Sequence, residues 1–384
     1  MKTRHMLIAI IYIACILVAG CDKKERMSPG TILEQYLTGG GDFPDGGGTT
    51  GGDTTGGGTT GGGTTGGGST GGGSTDGGTT GDGESTDDIV KLVFMGDVMM
   101  ARKVETSVKN YGSGDYSFIF NNIAGYTKSA DLAFANLEGV ISDTGAADPV
   151  KVLQGTAFRA KPAAVNGLLS AGIDVVSMAN NHTLDYSRSA MSDCFVRLKA
   201  AGISYVGAGE TFDEAYSAKI FTVKNTRIAY LAYTLAGDEM GSRAQKYDAA
   251  TGLTARSGVA WYYSKYIYSG IRAARSQADI VIVSIHFGTE YEKAPSHLQD
   301  RFAHLAMDRQ ADIVIGHHPH VAQPVMVYQK GYLAYSLGNC VFDQSDAETK
   351  KGLIFEVTVT NRKISGARAR NILINQQYQP ELVN

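Results

Sequence analysis

Three imidazoles in four positions, His317, His318 and His320, follow a glycine at the end of a short apolar run. Rings crowded this closely are costly unless a charge or a metal ion justifies them. Four more apolar runs end in comparable fashion. Residues 91–95 lead to Gly96-Asp97, and 131–135 to Asn136-Leu137-Glu138. Residues 173–179 lead to Asn180-Asn181-His182, and 279–285 to His286. Singly, each has a bland reading: Asp97 as a turn or helix cap, Asn136 and Asn180 as partners of loop backbone, His286 as a hydrogen-bonded core histidine. Jointly, Asp97, Glu138, Asn181, His286, His318 and His320 form a set of oxygen and imidazole donors without thiolates. That mixture suits a divalent metal such as Mn, Fe or Zn. Five or six ligands suffice for one or two ions, and two ions about 3.5–4 Å apart activate a water and clamp a phosphoryl oxygen.

The elements that must position these residues are legible from the same runs. Each run is four to eight residues long and rich in β-branched or aromatic side chains, the pattern of a strand buried on both faces. Helical patterns over 162–171, 262–277 and 297–310 precede three of them. Pro162 suits a first helical turn, and Ala171-Gly172 supplies a stop. Alternation of helix and buried strand predicts an α/β fold with a largely central sheet. The polar residues fall at the strands' carboxyl ends, where open α/β sheets bind ligands. Six of the eight histidines lie beyond Ala278, and four of those six sit at strand ends, so the ends are expected to converge on one site.

Composition bounds the rest. Residues 39–83 hold 24 of the 49 glycines, mostly in a Gly-Gly-Gly-Thr-Thr or Gly-Gly-Gly-Ser-Thr repeat of period five. Such a tract has no apolar surface to bury and reads as a flexible tether; residues 22–88 would reach about 45 Å. Ahead of it, Lys2 and Arg4 precede an apolar run of about 14 residues that ends in Leu17-Val18-Ala19-Gly20-Cys21. The run is short for a membrane span but fits a secretory signal, and its end resembles a bacterial lipobox with Cys21 as the lipidated residue. The expected organisation is a signal peptide over 1–20, a lipidated cysteine and disordered linker over 21–88, and a folded domain over 89–384. That domain carries 30 basic and 27 acidic residues, too balanced for a nucleic-acid binder. Cys194 and Cys340 are expected as buried free thiols.

Six ordered segments carry a family resemblance: Gly96-Asp97-Val98-Met99, Asn136-Leu137-Glu138-Gly139, Ala179 to Asp185, Ser284 to Tyr291, Gly316 to Gln323, and Tyr335 to Gln344. In order and spacing they resemble the bacterial CapA family of capsule or poly-γ-glutamate synthesis proteins, over about residues 92–344. That family is similar to the calcineurin-like metallophosphoesterases. The resemblance therefore implies an α/β (α+β) αββα four-layer sandwich with helices outside two sheets. It implies metal ligation by Asp97, Glu138, Asn181, His286, His318 and His320, with Glu138 in the bridging place. It implies His182 as the group that stabilises or protonates the leaving group, oriented by Asp185. Asn136, Asn180, Glu290, His317, Asn339 and Asp343 are expected to contact substrate. The first motif departs from the usual Asp-x-His, with Met99 where an imidazole would stand, so a mononuclear site or a weak second metal is expected. The stretches 220–234 and 352–372 are expected to supply peripheral antiparallel strands.

Three functions compete. One is a membrane-tethered, extracytoplasmic factor in making or anchoring a capsule-type polymer such as poly-γ-glutamate, working beside polymer synthase subunits. Another is a metal-dependent hydrolase of a phosphate ester or of an amide or γ-glutamyl bond. The last is a non-catalytic polymer-binding module. An anionic polymer or a phosphorylated substrate is the expected ligand, with Lys151, Arg159 and Lys161 as carboxylate or phosphate contacts. The aromatic stretch 261–268 reads as packing against the sheet, with polymer stacking as the alternative.

Overall fold

The computed structural model describes residues 88–237, 241–249 and 254–383. The signal peptide, Cys21 and the glycine-rich stretch expected from the sequence lie outside the described residues.

The first sheet runs in the order β14-β13-β12-β1-β2-β3-β4. Its strands are β1 (Ile89–Val98), β2 (Leu132–Leu137), β3 (Val175–Ser177), β4 (Ser204–Val206), β12 (Lys351–Thr360), β13 (Lys363–Ile374) and β14 (Pro380–Leu382). The short β11 (Asn339–Val341) lies parallel to the end of β1. The second sheet runs β9-β10-β8-β7-β6-β5. It comprises β5 (Lys219–Val223), β6 (Thr226–Thr234), β7 (Ile280–His286), β8 (Ile313–His317), β9 (Val325–Tyr328) and β10 (Gly331–Ala334). Within the first sheet β1 to β4 are mutually parallel, and within the second so are β6, β7, β8 and β10. The helices used below are α1 (Arg102–Tyr111), α2 (Pro149–Gln154), α3 (Ala164–Ser170), α4 (Ser187–Ala200), α5 (Ser264–Arg275) and α6 (His297–Asp308).

Period-two alternation along the strands builds the layers. Leu92 and Phe94 of β1 pack on Ile228, Tyr230, Ile282 and Ile315 of the second sheet. Their neighbours Val93 and Met95 face the other way, among Val104, Leu168, Met191 and Phe195 of α1, α3 and α4. Ile267 and Ile271 of α5 and Phe302 and Ala306 of α6 are buried against the second sheet. The result is the expected order of helices, sheet, sheet, helices. Aromatic rings cross the seam: Phe134 stacks on Tyr230 at 5.6 Å between centroids, and Phe94 lies 6.1 Å from Phe134.

The helices begin and end close to where their sequence signals stand. A capping box between Ser296 and Gln299 starts α6. Pro162 O accepts from Val165 N in the turn that opens α3, and Gly172, at φ 69°, follows its end. The hairpin within 220–234 and the paired tail strands are present, but their placement differs from expectation. β6 is an inner strand, parallel to β7, because eight of its nine residues are buried. β12 is likewise internal, flanked by β1 and β13. The stretch 261–268 is not one helix. Trp261 and Tyr262 are buried ahead of α5, and Arg243 lies over the Trp261 ring at 3.9 Å. Cys194 and Cys340 are buried free thiols. Among the described residues no helix is long and apolar enough to cross a membrane.

Candidate metal centre

Register, rather than loop conformation, brings the first donors together. Asp97 stands opposite Asn136 in β2 and opposite Asn339 in β11, and His286 stands opposite His317. The glycines before Asp97 and His317 are required by close approach. A Cβ on Gly96 would lie 1.9 Å from Gly338 O, and one on Gly316 would lie 1.9 Å from Tyr335 O. Both contacts are with backbone that cannot swing away. Beyond Met95 the β1 strand leaves β12, and Asp97 N donates to Gly338 O at 2.9 Å. His318 and His320 adopt φ of 98° and 58°, backbone conformations that cost about 1–3 kcal/mol each in non-glycine residues and cluster at functional sites.

The carboxylates of Asp97 and Glu138 and the imidazole of His286 each offer an atom within 4.8 Å of the other two. All three side chains are buried. His286 Nε2 lies 2.8 Å from Asn181 Oδ1, and the His286 and His318 rings are 4.8 Å apart. His320 places Nδ1 3.4 Å from Asp97 Oδ2 and Nε2 3.6 Å from Glu138 Oε1. The six expected ligands therefore meet in one place. Glu138 Oε1, His317 Nε2 and His318 Nδ1 are buried without a hydrogen-bond partner. An unpaired buried polar atom costs about 1–3 kcal/mol; three in one cluster of oxygen and imidazole donors fit a cation.

Protonation follows from burial and neighbours. Burial opposes the charge on Asp97, yet the His317 and His320 rings hold its carboxyl well below the usual range. Burial raises Glu138 well above it. Burial keeps His286 neutral and pushes His318 down to about 3, leaving lone pairs for ligation. Burial would also lower His320, but the Glu138 and Asp97 carboxylates outweigh it and raise it to about 9.

His182 occupies the adjoining wall. Its Nδ1 lies 2.8 Å from Asp185 Oδ2 and its Nε2 3.7 Å from Glu138 Oε1. Phe158 stacks on the ring at 3.9 Å. Burial lowers the His182 pKa, with Asp185 opposing, so the ring is neutral at pH 7.

The residues expected to contact substrate are placed differently. Asn136 is fully buried, donating to Asp97 Oδ1 at 2.9 Å, with Glu138 Oε2 and His286 Nδ1 each at 3.4 Å. Asn180 donates to Leu137 O and accepts from His182 N and Thr183 Oγ1, which folds the turn that carries Asn181. His317 is sealed behind Asp97, its Nδ1 3.1 Å from Oδ1. Asn339 supports His320 Nδ1 at 3.0 Å. All four are buried and bond the expected ligands or the turn that carries Asn181. Asp343 is buried in an ion pair with Arg102, and Glu290 alone of the six is exposed. Each of the three basic residues has a partner in the fold, although Lys161 stays exposed. Lys151 bonds Asp185, Arg159 lies over the Tyr186 ring at 4.0 Å, and Lys161 pairs with Glu105 at 2.6 Å.

Two neighbours carried no sequence signal. Phe158 walls His182, and Arg102 lies over Phe158 at 4.4 Å while bonding Gly155 O. Beside them opens a cavity of about 450 Å³, lined by Arg102, Lys103, Tyr291, Asp343 and Gln344 among others.

Comparison with known proteins agrees with the six-motif reading. The sequence profile of the family described as "Bacterial capsule synthesis protein PGA_cap" matches residues 91–344. "Capsule biosynthesis protein CapA" of Bacillus anthracis is 33% identical over 273 residues, which are 69% of this chain and 62% of that protein. "PGA biosynthesis protein CapA" of Bacillus subtilis is 30% identical over 275 residues, 71% of this chain and 68% of that protein. A probable polyglutamine synthesis accessory protein of Mycobacterium tuberculosis is 26% identical over 290 residues, 67% of this chain and 75% of its own. The chain thus spans under two thirds of the Bacillus anthracis protein. Among solved structures, a hypothetical protein from Thermus thermophilus superposes with a TM-score of 0.43 at 13% identity, over 73% of this chain and 98% of that one. With two thirds of its length matched by the profile, and its donors in the order the motifs require, this chain belongs to the PGA_cap family of bacterial capsule synthesis proteins, within the metallophosphoesterase-like superfamily.

Proposed function

We propose that this chain is a cell-envelope protein of capsule or poly-γ-glutamate-type polymer production, held at the membrane by a lipid on Cys21, with a metal-dependent hydrolytic centre at the strand ends. The observation that carries the reading is the buried group of Asp97, Glu138 and His286, beside unpartnered Glu138 Oε1 and His318 Nδ1. Asp97, Glu138, Asn181, His286, His318 and His320 would hold one or two Mn, Fe or Zn ions. When bound, such an ion supplies Lewis-acid polarisation of the scissile group and a water activated at neutral pH.

The chain's own residues supply the rest. Asp185 accepts from His182 Nδ1, so in the neutral ring Nε2 carries no proton. It would first take one up, and the imidazolium, stabilised by Asp185, would then pass it to the leaving group of a phosphate ester or of an amide or γ-glutamyl bond. Phe158 holds the ring flat and keeps water from that face. A second reading, a polymer-binding module without turnover, draws on the first motif, where the Met99 sulfur accepts from Ala101 N and offers no imidazole.

The test is metal content of the purified full-length chain, by mass spectrometry, beside His286→Ala and His318→Ala. One to two equivalents of Mn, Fe or Zn in the wild type, lost in both variants, is the expected result and justifies a screen of phosphodiester and γ-glutamyl substrates. A folded wild type that takes up none of the three on reconstitution sinks the hydrolytic reading and leaves the binding module.

A further inference from the structure

α2 is a helix without a buried side chain. Val150, Val152 and Leu153 are 58%, 52% and 88% exposed, so apolar burial does little to hold it. Polar contacts attach it to the body and lead toward the candidate metal centre. Asp148 N donates to Asp185 O at 2.7 Å, and Gly155 O accepts from Arg102 Nη1 at 2.8 Å. Lys151 makes the deepest contact. Its Nζ donates to Asp185 Oδ1 and to the Asn181 carbonyl, both at 2.6 Å.

Asn181 and Asp185 are the two ends of the turn that matters most at the site. The Asn181 amide faces His286, and the remaining oxygen of Asp185 orients His182. We propose that Lys151 is a positioning residue, which clamps both ends of the 181–185 turn, and that α2 and the metal therefore dock cooperatively. The inference rests on the metal reading above.

The physical argument has two parts. A cation in a site nearly closed to solvent, bonded to a carboxylate and a carbonyl, is worth more than the same pair at the surface. Removing it leaves the buried Asp185 oxygen unpaired and frees the turn to rotate, which disorders a metal ligand without touching it. Such outer-shell losses weaken metal binding by about 10–100-fold. The coupling must also run the other way. A metal that orders Asn181 strengthens the seat of Lys151, so an otherwise weakly held helix closes when the metal binds.

The experiment is Mn²⁺ titration by calorimetry on the full-length chain, beside Lys151→Met, Lys151→Arg and the surface control Leu153→Ser, with amide exchange of residues 148–156 followed with and without Mn²⁺. Thermal melts of the stripped proteins establish that each variant folds. Lys151→Met is expected to weaken Mn²⁺ binding about tenfold or more, with Lys151→Arg regaining most of it and Leu153→Ser unchanged. Exchange over 148–156 is expected to slow on loading in the wild type and not in Lys151→Met. A folded Lys151→Met that binds Mn²⁺ as tightly as the wild type, or exchange over 148–156 indifferent to the metal, overturns the inference and leaves the metal reading standing. A wild type that binds no Mn²⁺ is titrated with Zn²⁺ and Fe²⁺ instead, and failure to bind any of the three overturns both.

Discussion

At the scale of single residues, the division of labour is between donors and the groups that aim them. Asn136 touches Asp97, Glu138 and His286 at once, although in the sequence it reads as one more polar residue at a strand end. Asn136→Ala is expected to weaken metal affinity about 10–100-fold with every ligand retained, as read by titration. Proton occupancy gives a second prediction. Glu138 and His320 lie 3.6 Å apart and both have raised pKa values, so in the stripped chain the pair shares a proton that the unfolded chain would release above about pH 6.5. The folded state binds the extra proton, so stability is fully present below that pH and falls as pH rises toward about 9. Metal must displace the same proton, so metal affinity should climb over that interval and flatten above it. Denaturant melts of the stripped chain and calorimetric metal titrations, both between about pH 6 and 9.5, check the two trends.

The donor types and their strand-end positions were legible in the sequence because a buried parallel strand is a short apolar word with a polar ending. Arg102 was not, and Lys151 stood out only as a basic residue for an anionic ligand, not as the partner of Asp185. Their partners are set by tertiary approach, Arg102 meeting Asp343 across 241 positions, and no local pattern encodes that. Burial was equally hidden. His317, first in its triplet, is the ring sealed behind Asp97, because the last residue of β8 points into the seam.

At the scale of elements, the site depends on two sheets keeping their strand ends level. Periodicity identified the strands and the helices that cover them, but not their order. β6 reads as half of a hairpin, and only its burial on both faces reveals an inner strand. The aromatic seam fixes the stacking of the sheets just beneath the donors, with Phe134 between Phe94, Tyr230 and the His317 ring at 6.1 Å. Phe134→Ala is expected to cost about 3–5 kcal/mol in denaturant unfolding and, by letting the sheets shift, to weaken the metal centre as well. A large stability loss with metal affinity unchanged would show that the seam does not hold the strand ends in register.

At the scale of the whole molecule, a folded domain follows an apolar run and a glycine-rich stretch of sequence. If the lipid on Cys21 holds the chain at the membrane, Cys21→Ser moves it from the membrane fraction to the soluble fraction of a cell lysate without changing its metal content. Among the described residues no helix is long and apolar enough to cross a membrane.

The proposed ligands come from two distant halves of the chain: Asp97, Glu138 and Asn181 from the ends of the first sheet, His286, His318 and His320 from the ends of the second. A nascent or translocating chain offers no pair of them close together except His318 and His320, and the inner seam must close before the rest arrive. If the site holds a metal, loading would follow closure of that seam. A chain exported in an extended state would cross the membrane empty and take its metal from the compartment in which it folds, so the ion it carries would report the chemistry outside the cytoplasm.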